Sequence, residues 1–277
     1  MVKKLLIAST LSGLLIAGLA IAETDPKTDP KTDIKTETAK VEVKTETSKE
    51  TPTAVDNLKK QLTKTFNRAP DTLTESPIKG VYQVLYGTEV IYISTDGKYF
   101  IAGDMIDMET RKNLSKVAQR SVRSGIIKEK AKAPIVFKAK DEKHVVKVFT
   151  DIDCPYCAKL HREVPALNEK GITIEYFMFP RAGIGSKSYD KAVSVWCAGD
   201  SDKQQTAMTT AKERKPLEEK KCDDNPIKAH YELGQEIGVT GTPALVTTSG
   251  RLIPGYMPAD RLAKMLEADQ PKSVFQK

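Results

Sequence analysis

Phe149-Thr150-Asp151-Ile152-Asp153-Cys154-Pro155-Tyr156-Cys157 decides the reading of this chain. A Val-rich strand, His144 to Thr150, runs into C-x-x-C at the point where a helix from Pro155 to Glu169 begins. Two thiols at that spacing close a small strained disulfide. The first sits where unpaired helix amides and the macrodipole favour thiolate over thiol. A thiolate of low pKa attacks disulfides and leaves well, and the second thiol resolves the mixed disulfide. Cys154 is therefore the expected exposed nucleophile and Cys157 the more buried resolver, with the Cys154–Cys157 disulfide as the working redox group and no other cofactor. Pro155 suits the first helical turn, where its missing N–H costs nothing.

A lone C-x-x-C is also half of a zinc site, which Cys197, Cys222 or His161 would complete. Against that reading, the sequence shows no second C-x-x-C or C-x-x-H, and the metal expectation is none. A purely structural Cys154–Cys157 bridge is the third reading, although so short a loop confers little stability. Cys197 and Cys222 lie 25 residues apart in Lys-rich helical sequence and read most simply as a structural disulfide.

Outward from this motif the chain falls into segments. Residues 1–22 read as a secretory signal, with Lys3 and Lys4 before an apolar stretch and Ala20-Ile21-Ala22 as the cleavage site. An uncleaved anchor is the alternative; the Ser and Gly interruptions and the Ala-x-Ala end favour cleavage near Ala22. The mature protein is then expected to be exported, which lets its cysteines oxidise. Residues 23–54 form a Thr/Lys/Asp/Glu/Pro tether with nothing apolar enough to offset ordering entropy.

Residues 55–110 read as a small α+β domain. Val55, Leu58, Leu62 and Phe66 follow helical spacing, and strands follow at Val81 to Tyr86, Glu89 to Ser94 and Lys98 to Ala102. Asp96-Gly97 centres a hairpin turn. So small a core is marginal alone, which suggests dimerisation through a sheet edge. Residues 111–133 read as a charged linker helix, interrupted at Gly125 and polar enough to bridge through solvent. Residues 134–277 alternate strands and helices, the pattern of an α/β domain, with a helical insert at about 188–238. The last strands are Ala244 to Thr248 and Arg251 to Pro254, and the closing helix is Pro258 to Ala268.

The 277 residues carry 44 Lys+Arg against 37 Asp+Glu, with 39% hydrophobic and 29% charged residues. This excludes a collagen-like, wholly disordered or polytopic membrane protein. Four cysteines are too few for a disulfide-knit miniprotein. The net charge is +7, without basic blocks interleaved with aromatics, so nucleic acid is not an expected partner.

Residues 78–106, Phe149 to His161 and Gly238 to Met265 resemble the periplasmic disulfide isomerase family of the DsbC/DsbG type. Gly241-Thr242-Pro243-Ala244 and Leu252-Ile253-Pro254-Gly255-Tyr256 carry the resemblance most clearly, and it spans about residues 57–270. It implies a V-shaped homodimer joined by the N-terminal domains, each arm a thioredoxin-like domain with a helical insertion. Its uncharged cleft would receive misfolded or mis-oxidised exported proteins. Thr242 and a cis-Pro243 would flank the active pair and bind substrate backbone, with Pro155 and Tyr156 beside them. Cys197 and Cys222 match the structural disulfide, and a membrane thiol-electron transporter would keep Cys154 and Cys157 reduced.

This chain departs from the pattern in three places. Pro155-Tyr156 is the DsbG and glutaredoxin dipeptide, where the DsbC type usually has Gly-Tyr. Asp153 sits beside the nucleophile, where its charge opposes a thiolate unless solvated. The long acidic tether is also atypical. The expected activity is a thiol-disulfide isomerase or reductase with chaperone capacity. A dithiol oxidase or bifunctional oxidase–isomerase, and a non-catalytic holdase, are the alternatives.

Overall fold

Residues 52–269 are described by the structure, a computed structural model. The expected signal segment and the tether as far as residue 51 lie outside these residues.

Helix α1, Pro52–Phe66, opens the first half, and strands β1, Thr72–Glu75, β2, Val81–Tyr86, β3, Glu89–Ser94, and β4, Phe100–Ala102, form an antiparallel sheet in sequence order. Strands β2 and β3 match the alternation seen in the sequence, pairing Tyr82 with Ile93 and Val84 with Ile91. Those four side chains face Leu58 and Leu62 of α1, and all six are buried. Strand β1 escaped the sequence reading because Leu73 is its single apolar residue among three exposed polar ones, so no apolar period marks it. Strand β4 starts at Phe100 rather than Lys98. Gly97 takes a φ of 69°, while Asp96 Oδ1 accepts the Lys98 N–H and Ser94 Oγ accepts that of Tyr99, extending the turn.

Helix α2, Leu114–Lys130, is capped by Asn113, whose side chain accepts the Lys116 N–H at 2.9 Å. It corrects two expectations. Gly125 does not interrupt it, because the helix continues for five residues beyond, and it is no solvent bridge. Ala118 and Val122 pack on Leu85, Val90 and Tyr92, the face of the sheet opposite α1. Arg123 is 6% exposed, and its guanidinium donates to the Ile237 carbonyl at 2.8 Å and the Gly250 carbonyl at 2.9 Å. Polarity all round suggested solvent, but here a buried arginine satisfies two backbone acceptors that would otherwise go unpaired.

The second half comprises β5, Ile135–Phe137, β6, His144–Thr150, α3, Pro155–Arg162, α4, Val164–Glu169, β7, Ile172–Met178, α5, Lys187–Trp196, α6, Ser201–Lys212, α7, Ile227–Glu236, β8, Ala244–Thr247, β9, Leu252–Pro254, and α8, Ala259–Asp269. Its sheet has the order β5-β7-β6-β8-β9, with only β6 and β7 parallel. Alternate side chains of the central strands feed two cores. Val146, Val148, Ile174 and Tyr176 face Leu160 and Leu167, while Phe149, Phe177 and Val246 face Leu233 and Ile127. The expected single helix from Pro155 to Glu169 is split at Glu163, since Pro165 can neither donate to residue 161 nor clear its carbonyl. The insert is three helices rather than one continuous stretch, and Cys197 and Cys222 are bonded across it. Among the described residues, no helix is long and apolar enough to cross a membrane.

Two glycines test the seating of α2. A Cβ at Gly250, φ +79°, would lie 2.1 Å from the Arg120 carbonyl oxygen, whereas one at Gly125 meets nothing within 4 Å. Gly250→Ala is expected to cost about 2 kcal/mol or more in denaturant unfolding, from strain and clash together. Gly125→Ala is expected to gain about 0.5–1 kcal/mol as an ordinary helix substitution. Equal effects at the two positions would contradict this seating.

Candidate functional site

Strand β6 delivers the site. It ends at Thr150, three residues of loop turn the chain, and Cys154 caps α3 with Pro155 in the first turn. Leu160 and Cys157, on the buried face of α3, lock the helix against the sheet at 0% and 1% exposure. The dipeptide between the cysteines points outward, with Tyr156 61% exposed.

Cys154 is not the exposed thiol the sequence suggested, for it is only 2% exposed. The loop before β8 covers it: the Thr242–Pro243 peptide bond is cis, and the Cys154 thiol donates to the Thr242 carbonyl at 3.3 Å. Sequence position placed Cys154 at a helix start but gave no view of a loop eighty-eight residues away. That loop brings Thr242 and Pro243 against the cysteine pair, as the resemblance implied.

The two thiols are driven apart in acidity. Cys154 is pulled down to about 5, first by a hydrogen bond from Cys157, then by the Thr242 hydroxyl and the Cys157 and Tyr156 backbone amides, against burial. The Thr242 hydroxyl is otherwise buried without a partner, so a thiolate is an acceptor it gains. Cys157 is pushed up, first by burial and then by the hydrogen bond it gives Cys154. One proton shared between two sulfurs contributes to both shifts.

Charges surround the pair. Asp153 does not face the thiolate unopposed, because Lys191 Nζ lies 2.6 Å from its Oδ1. Asp151 is 3% exposed, and burial alone would raise its carboxyl. The Arg181 and Asp153 backbone amides and the Arg181 guanidinium nevertheless hold it below the usual carboxylate range. Lys212, at the end of α6, is 3% exposed and donates at 2.8 Å to both Thr150 Oγ1 and the Asp151 carbonyl. Sequence reasoning missed Asp151, Arg181 and Lys212; a Lys in a Lys-rich helical stretch carries no sign of burial.

His161 lies beneath Cys157, with Tyr176 Oη 3.1 Å from Nδ1 and Thr209 Oγ1 3.0 Å from Nε2. Burial lowers it to about 4, so the ring is neutral. With both ring nitrogens engaged, and Cys197 bonded to Cys222, none of the three residues considered as partners completes a zinc site with the C-x-x-C pair.

Family models and curated relatives agree on what this arrangement belongs to. Residues 131–270 match a thioredoxin-like domain, and residues 39–116 match the disulfide bond isomerase protein N-terminal domain. The thiol:disulfide interchange protein DsbC of Salmonella typhimurium is 40% identical over 200 residues, 72% of this chain and 81% of that protein. The DsbC of Escherichia coli is 36% identical over 213 residues, 77% of this chain and 87% of its own. A crystal structure of a disulfide interchange protein from Neisseria gonorrhoeae, at 31% identity, covers 50% of this chain and 96% of its own with a TM-score of 0.44. A thioredoxin-like half carrying the cysteine pair follows an isomerase-type N-terminal half, and this chain belongs to the DsbC family of thiol:disulfide interchange proteins.

Proposed function

We propose that this chain is a periplasmic thiol-disulfide isomerase and reductase for exported proteins. Cys154 is the nucleophile, Cys157 the resolver and the Cys154–Cys157 disulfide the working redox group. The observation that carries the reading is the placing of the two thiols at one helix start, Cys154 at the cap of α3 against the cis Thr242–Pro243 loop and Cys157 buried behind it. The Cys154 thiolate attacks a non-native disulfide, forming a mixed disulfide and releasing one substrate thiolate. That thiolate then attacks elsewhere in the substrate, or Cys157 displaces the second substrate thiolate and the pair becomes oxidised. A membrane thiol-electron transporter returns two electrons to the pair.

Thr242 and Pro243 offer backbone beside Cys154, which suits an extended substrate segment added as a strand. Exposed Pro155 and Tyr156 flank the same opening. Cys197–Cys222 is the structural disulfide of the insert. Residues 1–22 act as the cleaved signal and 23–54 as a tether. Residues 55–110 form the dimerisation domain, 111–133 the connector, and 134–277 the catalytic domain with its insert at about 188–238.

The edge strand β4 supports a homodimer. Phe100 and Ile101 are 61% and 58% exposed, next to Tyr99 at 71%. An edge with unpaired backbone groups and large apolar side chains is a template for a second copy. Replacing Ile101 with Lys is expected to yield monomers in light scattering and to abolish reactivation of a scrambled-disulfide substrate. An unchanged mass would remove β4 from the interface.

Acidity gives a second check. The free thiol loses its proton near pH 8.5, while folding lowers Cys154 to about 5, so the reduced fold gains stability as pH rises through that window. That gain disappears as pH falls through about 5. Alkylation of the reduced protein should accordingly modify Cys154 along a curve with its midpoint near 5, leaving Cys157 untouched. Cys154→Ser should lose all isomerase activity. A midpoint above 7 for Cys154 would sink the proposed activation.

A further inference from the structure

Helix α6 brings one side chain to the site that the exchange steps above leave unused. Lys212 is buried, yet both acceptors of its Nζ, Thr150 Oγ1 and the Asp151 carbonyl oxygen, are uncharged. The Asp151 carboxylate is committed to Arg181. Ammonium groups are seldom held out of water without a carboxylate, and an amine so placed gives up its proton readily. Burial lowers the Lys212 pKa, opposed first by Cys157 and then by Asp151, Cys154 and Asp153.

The Thr150 hydroxyl links this amine to the sulfur chemistry. It accepts from Lys212, and it lies close enough to Cys157 to favour that residue's thiolate, while Cys157 in turn bears on Cys154. The chain of contacts addresses a specific difficulty. Cys157 must lose its proton to attack a mixed disulfide, but it is 1% exposed and burial favours its thiol. Bulk water has no direct route to that proton.

We propose that Lys212 is a positioning residue for resolution, its neutral amine taking the Cys157 proton through the Thr150 hydroxyl as Cys157 attacks the mixed disulfide. Thr150 passes its own hydrogen to Nζ and receives that of Cys157, so the hydroxyl is regenerated. The Cys157 sulfur bonds to Cys154, the Cys154–substrate bond breaks, and the departing thiolate is protonated by solvent. The cysteine pair is oxidised by two electrons and the substrate reduced by the same two. Lys212 ends as an ammonium and can return the proton when the pair is reduced again. The charged and titratable groups around it are Cys154, Cys157 and His161 of α3, Asp151 with Arg181, Asp153 with Lys191, and Glu213 with Lys215.

The inference rests on the roles proposed for Cys154 and Cys157, and one experiment separates the two. Mature reduced protein is mixed with one equivalent of dithiobis-nitrobenzoate in a stopped-flow instrument. Release of the first thionitrobenzoate reports attack by Cys154; the second, independent of reagent concentration, reports resolution by Cys157. The second phase should be nearly flat with pH in the native protein. Lys212→Met should slow it about 100-fold at neutral pH, the usual contribution of a placed proton acceptor, and make it rise about tenfold per pH unit. Thr150→Val should do the same, and Thr150→Ser should restore the phase to within about threefold. The first phase should hold within about threefold throughout, because the strongest donors to Cys154 are Cys157, Thr242 and backbone amides. A second phase in Lys212→Met with native rate and pH profile would overturn the assignment. If that variant fails to fold, equal rates for Thr150→Val and Thr150→Ser would overturn it. Absence of the first phase from the native protein would remove the role of Cys154, and this inference with it.

Discussion

The junction between β6 and α3 has to hold charge out of water, and much of the second half of the molecule is arranged around that constraint. A thiolate at 2% exposure survives only with donors already in place, because reorienting solvent cannot supply them. The start of α3 provides backbone amides, and Cys157 gives its proton. The loop before β8 contributes the Thr242 hydroxyl. The same junction buries Asp151, which ties the turn to Arg181 and to the Asp153 amide. Lys212 closes the floor by holding Thr150 and the Asp151 carbonyl from the insert side. A turn of three residues is thus pinned from the strand, the helix, the insert and the segment after β7.

This pinning explains why the insert belongs to the site as well as to the fold. Its Cys197–Cys222 bond spans the segment that contains α6, and α6 carries both Thr209, on His161, and Lys212, on the strand end. Residues lining a large cleft of about 1130 Å³ run from Ile152 and Asp153 to Leu217 and Cys222, so the disulfide borders the same hollow as the active turn. A disulfide across such a stretch restricts the unfolded chain and keeps α6 near its native seat. The structural bond and the C-x-x-C pair are therefore connected through packing, with no direct contact required.

Much of this was legible in the sequence because the relevant signals are local. Strands β2, β3 and β6 fall where their apolar periods put them, and C-x-x-C at a strand–helix junction identified the chemistry. Thr242-Pro243 was legible only in company with that motif. What the sequence hid was burial of polar groups. Arg123 and Lys212 stand in segments whose charge suggests solvent, yet each is buried by partners more than sixty residues away. Cys154 was misjudged for the same reason, since the cover comes from a distant loop. Local period predicts which face is apolar; it gives no account of which basic side chain the tertiary fold will recruit to satisfy backbone carbonyls.

The acidity of Cys154 also limits what the site alone can determine. Stabilising the thiolate stabilises the reduced pair, which makes the disulfide a better oxidant. By chemistry alone this pair would donate disulfides as readily as reshuffle them. Isomerisation needs the pair reduced and the substrate held long enough for its own freed thiolate to attack again. The first condition would fall to the proposed electron donor, and the second to geometry. A dimer built on the first sheet would supply that geometry, with α2 fixing each catalytic half through Arg123 and Gly250. A rigid seat matters because two arms confine a substrate only if their separation is maintained. On the proposed dimer, the choice between oxidase and isomerase would therefore be set less at the sulfurs than at the edge of β4 and along α2.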